Sequence, residues 1–231
     1  MEVDDLAVEP IEVKIPEVAM KPLEFENDVT RMVFTPAGEL SELIDKRTGK
    51  DYAGPRTVAF KLDVSNRGKI PLSCIEQDGE RLTLHVVDPA YSLELWVKTY
   101  DRYFTFFVSR AEGPNIEALT FLTLNISVNE NFGALLNTAN KDGFSAVLLT
   151  CNDQTHASSS CGSHFKATAQ AYTTYGIPGA KAVFAALPTE QLEDCLEDIE
   201  IEQALFHPVR DGIWLRRHPG RFASYLMTGG V

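Results

Sequence analysis

No run of 18 apolar residues occurs in this 231-residue chain, so no segment has the make-up of a membrane-spanning helix. Cysteine is scarce, with four in all, and no C-x2-C pair is present, so neither a zinc knuckle nor a dense disulfide framework is spelled out. Bases are outnumbered, 21 against 33 acids, for a net charge of −12. That balance argues against nucleic acid or an anionic membrane as a partner. It selects no ligand, because acidity also serves plain solubility. The motifs G-x-S-x-G, H-E-x-x-H, G-x-x-x-x-G-K-[ST] and G-x-G-x-x-G are all missing, and nothing in the sequence calls for a cofactor. The opening residues lack the basic and apolar regions of a signal peptide. An extracellular or periplasmic location would need a signal lying outside this sequence.

What is present is alternation. Leu82, Leu84 and Val86 alternate with Thr83, His85 and Val87, and Tyr91, Leu93, Leu95 and Val97 with Ser92, Glu94, Trp96 and Lys98. Phe104, Phe106 and Val108 alternate with Tyr103, Thr105 and Ser109. Leu122, Leu124, Ile126 and Val128 alternate with Thr123, Asn125 and Ser127. A period of two with one apolar face predicts half-buried antiparallel strands. Turn clusters at Gln77-Asp78-Gly79, Asp88-Pro89, Glu112-Gly113-Pro114-Asn115 and Lys141-Asp142-Gly143 punctuate them. With 44% hydrophobic residues and no Gly/Ser-rich or Pro-rich interior linker, the chain can bury a large core. The expected fold is mainly β: a large antiparallel two-sheet β-sandwich with one α-helix in the C-terminal region.

The segment 25–52 predicts a β-meander. Thr35-Pro36-Ala37-Gly38 has Pro second and Gly fourth, the type I pattern, and Asp45-Lys46-Arg47-Thr48-Gly49 pairs an Asx-type start with a Gly finish. Residues 1–22 read as an acidic, extended lead-in with Pro10, Pro16 and Pro22, where Ile11, Val13 and Ile15 alternate as in an edge strand.

The helix is expected over 189–203. Thr189 is placed as its N-cap, with Glu190 near the positive end of the dipole. Leu192, Cys195, Leu196 and Ile199 make one apolar stripe. Glu193, Asp194, Glu197, Asp198 and Glu200 fall on the other side and read as a solvated face without catalytic chemistry.

Two stretches carry a family resemblance. Asn27, Gly38, the Leu40-x-x-Leu43 pair, Asp45-Lys46 and Thr48-Gly49 follow an order that resembles the opening of large β-sandwich domains in carbohydrate-active enzymes. Tyr175-Gly176-Ile177-Pro178-Gly179-Ala180-Lys181-Ala182, Phe184 to Pro188, and the acidic helix ending in Glu200-Ile201-Glu202 resemble the end of such a domain. The arrangement is similar to the galactose-mutarotase-like super-sandwich that precedes the catalytic (β/α)8 barrel in several glycoside hydrolase families. The stretch from Leu205 through Trp214 to Ser224-Tyr225-Leu226-Met227 resembles the linker and first barrel strand. The resemblance implies a sandwich at 23–204 and a linker with the start of a following domain at 205–231. It also implies a catalytic domain of the same polypeptide as partner. Catalytic carboxylates in such enzymes sit on the barrel, so this chain would be a non-catalytic module.

Sugar contact is then the chemistry left to look for. Pyranose rings stack their CH faces on aromatic rings while charged and amide groups bind the hydroxyls. Trp96 falls on the polar face of its strand beside Glu94 and Lys98, where it either meets a sugar or packs beneath a covering layer. Tyr100 and Arg102 belong to a polar-aromatic cluster, Tyr100-Asp101-Arg102-Tyr103, which a hairpin ion pair would also explain. Trp214 lies in the linker, followed by Arg216, Arg217 and His218. Cys151, His156, Cys161 and His164 have zinc-type ligands in the spacing C-x4-H-x4-C-x2-H, set in a Ser-rich segment that reads as a flexible loop. The same residues fit a Cys151–Cys161 disulfide or free thiols. Two other functions stay open: a free-standing sugar enzyme such as an aldose epimerase, drawing on His85, His156 or His164 with a carboxylate, and a carbohydrate-binding or purely structural module.

Overall fold

The computed structural model describes residues 21–205 and the backbone of two short strands at 209–210 and 213–214. The acidic lead-in falls outside the described residues except for 21 and 22, as does the expected barrel strand at 225–227.

Strands dominate, and every pairing among them is antiparallel. The chain opens with β1 (Leu23–Glu26), β2 (Thr30–Phe34), β3 (Leu40–Asp45) and β4 (Lys50–Asp51). Then come β5 (Lys61–Val64), β6 (Gly68–Ile70), β7 (Leu72–Asp78), β8 (Arg81–Val86), β9 (Ser92–Thr99) and β10 (Phe104–Glu112). They are followed by β11 (Ile116–Ile126), β12 (Glu130–Gly133), β13 (Thr138–Lys141), β14 (Phe144–Thr150), β15 (Thr155–Cys161) and β16 (Phe165–Tyr172). β17 (Lys181–Pro188) leads into helix α1 (Leu192–Glu202), beyond which β18 (Val209–Arg210) pairs with β19 (Ile213–Trp214).

An eight-stranded sheet, ordered β12-β13-β14-β17-β10-β9-β8-β7, packs face to face with a five-stranded sheet, β15-β16-β11-β5-β6. The mainly β sandwich expected from the alternation is therefore present. The meander also forms, as a separate sheet β1-β2-β3-β4, and sends Leu23, Phe25, Met32, Phe34, Leu40 and Leu43 into the same core. Phe25 meets Phe106 edge-on at 6.4 Å, and Phe34 lies 5.8 Å from Phe60 just ahead of β5, so aromatic contacts tie the meander to the rest of the core.

The turns obey their sequence chemistry. The Gly38 N–H donates to the Thr35 carbonyl at 2.8 Å, and Gly38 takes a φ of +78° that a Cβ would resist. Asp45 accepts from the Arg47 N–H at 2.9 Å and from the Thr48 hydroxyl at 2.9 Å, closing the Asx turn. Asp142-Gly143 joins β13 to β14 with both residues at positive φ, +52° and +73°, as a two-residue hairpin of the primed type requires.

Alternation changes phase at bulges. In β11 the register against β16 slips between Thr120 and Leu122. Leu119 and Phe121 face the core before the slip, and Leu122, Leu124 and Ile126 face it afterwards. Strict period two from Leu122 onward is what the sequence displays, and the bulge explains why it does not extend back to Ile116.

β17 is buried on both faces. Ala182, Phe184 and Ala186 enter the sandwich core, while Val183, Ala185 and Leu187 face outward against α1. Cys195, Leu196 and Ile199 of the helix cover them, with Leu192 half-buried alongside, so the predicted stripe is the packed one. Burying each large aliphatic side chain contributes roughly 1.5–3 kcal/mol. The helix starts later than expected. Thr189–Gln191 is a 3-10 turn, no side chain caps α1, and the Thr189 hydroxyl instead lies 2.9 Å from that of Ser145. The acidic face also differs from the expected solvated one: Glu200 is buried and Asp198 is paired with Arg102, because the helix lies flat enough on the sheet to bring both against it.

Phe184→Ala should lower the unfolding free energy by about 3–5 kcal/mol, since it opens a cavity in the sandwich core where Phe184 is fully buried. Urea denaturation followed by circular dichroism measures this, and an unchanged midpoint would contradict the central placement of β17.

Candidate functional site

Helix α1 covers only part of the outer face of the eight-stranded sheet. Beyond its edge the register aligns four side chains in one row across β17, β10, β9 and β8: Lys181 opposite Phe107, Phe107 opposite Trp96, and Trp96 opposite Arg81. Pleating explains the set, because Phe106 and Val97 point inward and their neighbours must point out. Trp96 is 42% exposed and Phe107 37%. The described residues thus leave two adjacent aromatic rings between two cations on a nearly bare sheet face.

The indole is held in place. Its Nε1–H donates to Oε1 of Glu94 at 3.3 Å, and the Ser109 hydroxyl donates to the same oxygen at 2.7 Å. Arg81 Nη1 approaches the second oxygen at 3.9 Å. The slip in register between Val108 and Arg110 is what brings Ser109 onto Glu94. The Ser109 bond, with Trp96 and Arg81 adding to it, holds the Glu94 carboxyl below the usual carboxylate range. Glu94 is therefore ionised at neutral pH and ill suited to donate a proton. The row can stack a flat, partly apolar ligand and bind its hydroxyls.

Tyr100 and Arg102 sit in a different arrangement, a clasp between the β9–β10 turn and α1. The ring of Tyr100 stacks on that of Tyr103, with centroids 4.4 Å apart, and Lys98 Nζ lies 4.9 Å from the Tyr100 centroid. Arg102 pairs with Asp198. The Tyr103 hydroxyl donates to Glu202 and accepts from Gln203 Nε2 at 2.7 Å. Burial, and then the Glu202 carboxylate, push the Tyr103 phenol well above its ordinary range. Gln203 in turn accepts from Lys181 at 2.6 Å, which links the clasp to the aromatic row. The small cleft of about 110 Å³ among Tyr100, Asp101, Arg102, Tyr103, Asp198 and Glu202 is the gap left inside this clasp.

Trp214 belongs to β19, in register with Val209, as the final residue of a two-stranded ribbon. The intervening Asp211-Gly212 is a strong sequence signal for such a hairpin, one that a reading of the segment as linker passes over.

The Cys-His group is dispersed by a strand. Residues 155–161 are β15, not a loop, and pair along their whole length with β16. Cys161 ends β15 and Cys151 precedes it, and the strand from residue 155 to 161 spans about 20 Å when extended. A disulfide needs Cα atoms within about 7 Å. All four cysteines are free thiols. His156 is exposed beside Tyr172, 6.3 Å between ring centres, and Cys161 donates to the Asn129 carbonyl at 3.4 Å. Among the described residues no group of three or more His, Cys, Asp or Glu side chains could hold a metal. The histidines named for an epimerase are also apart. His85 lies 3.2 Å from Glu76 at the β7–β8 edge, His156 is on β15, and His164 is in the turn after it, bonded to Ser163.

No protein-family model and no curated protein matches this chain. Among solved structures it is similar to the α-N-acetylgalactosaminidase NagBb of Bifidobacterium bifidum in complex with GalNAc. That likeness has a TM-score of 0.55 at 8% identity and covers 78% of this chain and 39% of that one. The heparan sulfate lyase HepC of Pedobacter heparinus matches at a TM-score of 0.39 and 13% identity, over 74% of this chain and 37% of the lyase. The structural neighbours are carbohydrate-active enzymes, and this chain spans less than two fifths of their length. At such identities the first likeness establishes a shared fold and carries no activity.

Tyr103→Phe should cost about 1 kcal/mol of stability, by leaving Glu202 and Gln203 without their shared hydroxyl. Arg102→Ala should cost less than about 1 kcal/mol, because the pair is partly solvated. Urea midpoints test the order. Burial pushes the Cys151 thiol up to about 11 and Cys195 up to about 12. At pH 8 Cys151 should alkylate with iodoacetamide about a hundredfold more slowly than a free thiol. The unfolded chain gives up these protons first, so stability should fall as pH rises from the ordinary thiol range to about 11. Equal alkylation rates would show that Cys151 is not shielded.

Proposed function

We propose that this chain is the non-catalytic β-sandwich module of a larger carbohydrate-active enzyme, of the galactose-mutarotase-like super-sandwich kind, and that it contacts carbohydrate through the Trp96–Phe107 row. In this reading residues 23–204 are the module, 1–22 its lead-in, and 205–231 the linker and start of a catalytic barrel of the same polypeptide. The glycosidase whose fold it shares over 78% of this chain is by name a sugar-cleaving enzyme, which supports the context.

The observation that carries the reading is the fixed indole of Trp96. It is held by Glu94, exposed on its open side, and flanked by Phe107 and Arg81, with Lys181 beyond Phe107. An apolar protein partner would have to strip water from these charges at a cost of several kcal/mol. A sugar meets the rings with its CH face and the charges with its hydroxyls. Glu94 is spent on orienting the indole, so the row binds and does not cleave.

The isolated chain should hydrolyse no aryl glycoside, yet it should be retarded in native gels cast with a polysaccharide that the full-length enzyme degrades. Trp96→Ala should abolish the retardation with a Tm shift within about 2 °C, as expected for a surface change. Turnover by the isolated chain would refute the non-catalytic role. Undiminished retardation of the variant would remove the row from the binding surface.

A further inference from the structure

On the opposite side of the sandwich, the outward face of the five-stranded sheet carries a cleft of about 580 Å³ lined by Asp63, Glu117, Ala118, Gln170, Tyr172 and Thr173. Its centre is set by register. Ala118 of β11 faces Tyr172 of β16 on one side and Asp63 of β5 on the other. A methyl group therefore forms the floor between an aromatic wall and a carboxylate wall two strand spacings apart, about 9.6 Å. Any larger residue at position 118 would fill the slot.

The walls are organised. Gln170 Nε2 donates to the Thr120 hydroxyl at 2.8 Å, and the Tyr172 hydroxyl donates to Gln170 Oε1 at 3.2 Å, which fixes the phenol. The register of β11 against β5 slips between Ile116 and Ala118, leaving Glu117 as the extra residue of a bulge. Bulges re-aim side chains, and this one turns Glu117 into the cleft, where the Ser65 hydroxyl donates to it at 2.8 Å. Lys61 stands opposite Thr120, and Lys69 opposite Asp63. Two acids thus line a slot of mixed polar and apolar surface, with the two lysines at neighbouring positions of the same sheet face.

We infer that this cleft is a second carbohydrate subsite, taking one neutral pyranose residue. The ring lies over Ala118 against Tyr172, and its hydroxyls donate to Asp63 and Glu117. The two carboxylates of the lining accept from sugar hydroxyls and would repel a uronate or sulfated sugar, so the cleft suits an uncharged ligand. The volume falls within the range of small-ligand sites. This inference rests on the carbohydrate reading above but uses none of the residues of the Trp96 row.

The test is an amide NMR titration of the whole chain with galactose, N-acetylgalactosamine, glucose and xylose, and with glucuronate as the acidic control. At least one neutral sugar should shift the amides of Ala118, Gln170 and Tyr172, and glucuronate should not. Tyr172→Ala should weaken that sugar about tenfold, the loss expected for one stacked ring. Asp63→Asn should weaken it as well, whereas Tyr172→Phe should stay within about threefold because the ring remains. In Trp96→Ala the titration curves of the Ala118, Gln170 and Tyr172 amides should be those of the unmodified chain, whatever happens to shifts around residue 96. Shifts confined to residues around Trp96 would overturn the cleft and keep the module reading. The absence of any shift would overturn the cleft too, and retardation by polysaccharide would then decide the module reading separately. Retained spectra of the variants establish that they fold.

Discussion

Burial of β17 on both faces is the constraint from which the rest of the molecule follows. One side of this strand supplies Phe184 to the centre of the sandwich, and the other supplies Val183, Ala185 and Leu187 to the helix. Its edges are occupied by β10 and β14, and its Ala186 carbonyl accepts the buried Thr30 hydroxyl of the meander. A strand so enclosed must be apolar at nearly every position and small where layers approach, which accounts for the alanines at 182, 185 and 186. Its first residue, Lys181, is where enclosure ends, and there the exposed row of Phe107, Trp96 and Arg81 begins. Coverage by the helix and exposure of the aromatic rings are two sides of one boundary.

Much of this was legible in the residues. Strands with one solvated face, such as β8 and β9, show clean alternation, and turns that need positive φ carry Gly or Asp, as at Gly38 and Asp142-Gly143. β17 itself was harder to place from pattern, because a strand covered on both faces has no polar phase to alternate with. The Ser-rich β15 read as a loop for the opposite reason. As an edge strand facing little core, it needs few apolar residues, and its pairing comes from β16 rather than from its own composition.

The candidate surfaces divide the same way. Trp96 stood out because an indole in a polar phase is conspicuous in one strand alone. Its partners were not visible, since Phe107, Arg81 and Lys181 are gathered by cross-strand register and Ser109 by a slip in it. Likewise Tyr100 and Arg102 looked like surface chemistry until α1, almost 100 residues later, supplied Asp198 as a partner. The cleft around Ala118 was invisible for a related reason: its defining feature is a small side chain, and an alanine gives no chemical signal in a sequence.

Back-to-back packing of the two sheets has a topological consequence. Sheets in a sandwich lie about 10 Å apart, and their outward side chains project in opposite directions. The Trp96 row and the Ala118 slot therefore look away from each other, and one short saccharide cannot occupy both. Were both proposed surfaces to take carbohydrate, a polymer strand on one face would leave the other free for a second strand, and the domain would act as a rivet between chains rather than a groove along one.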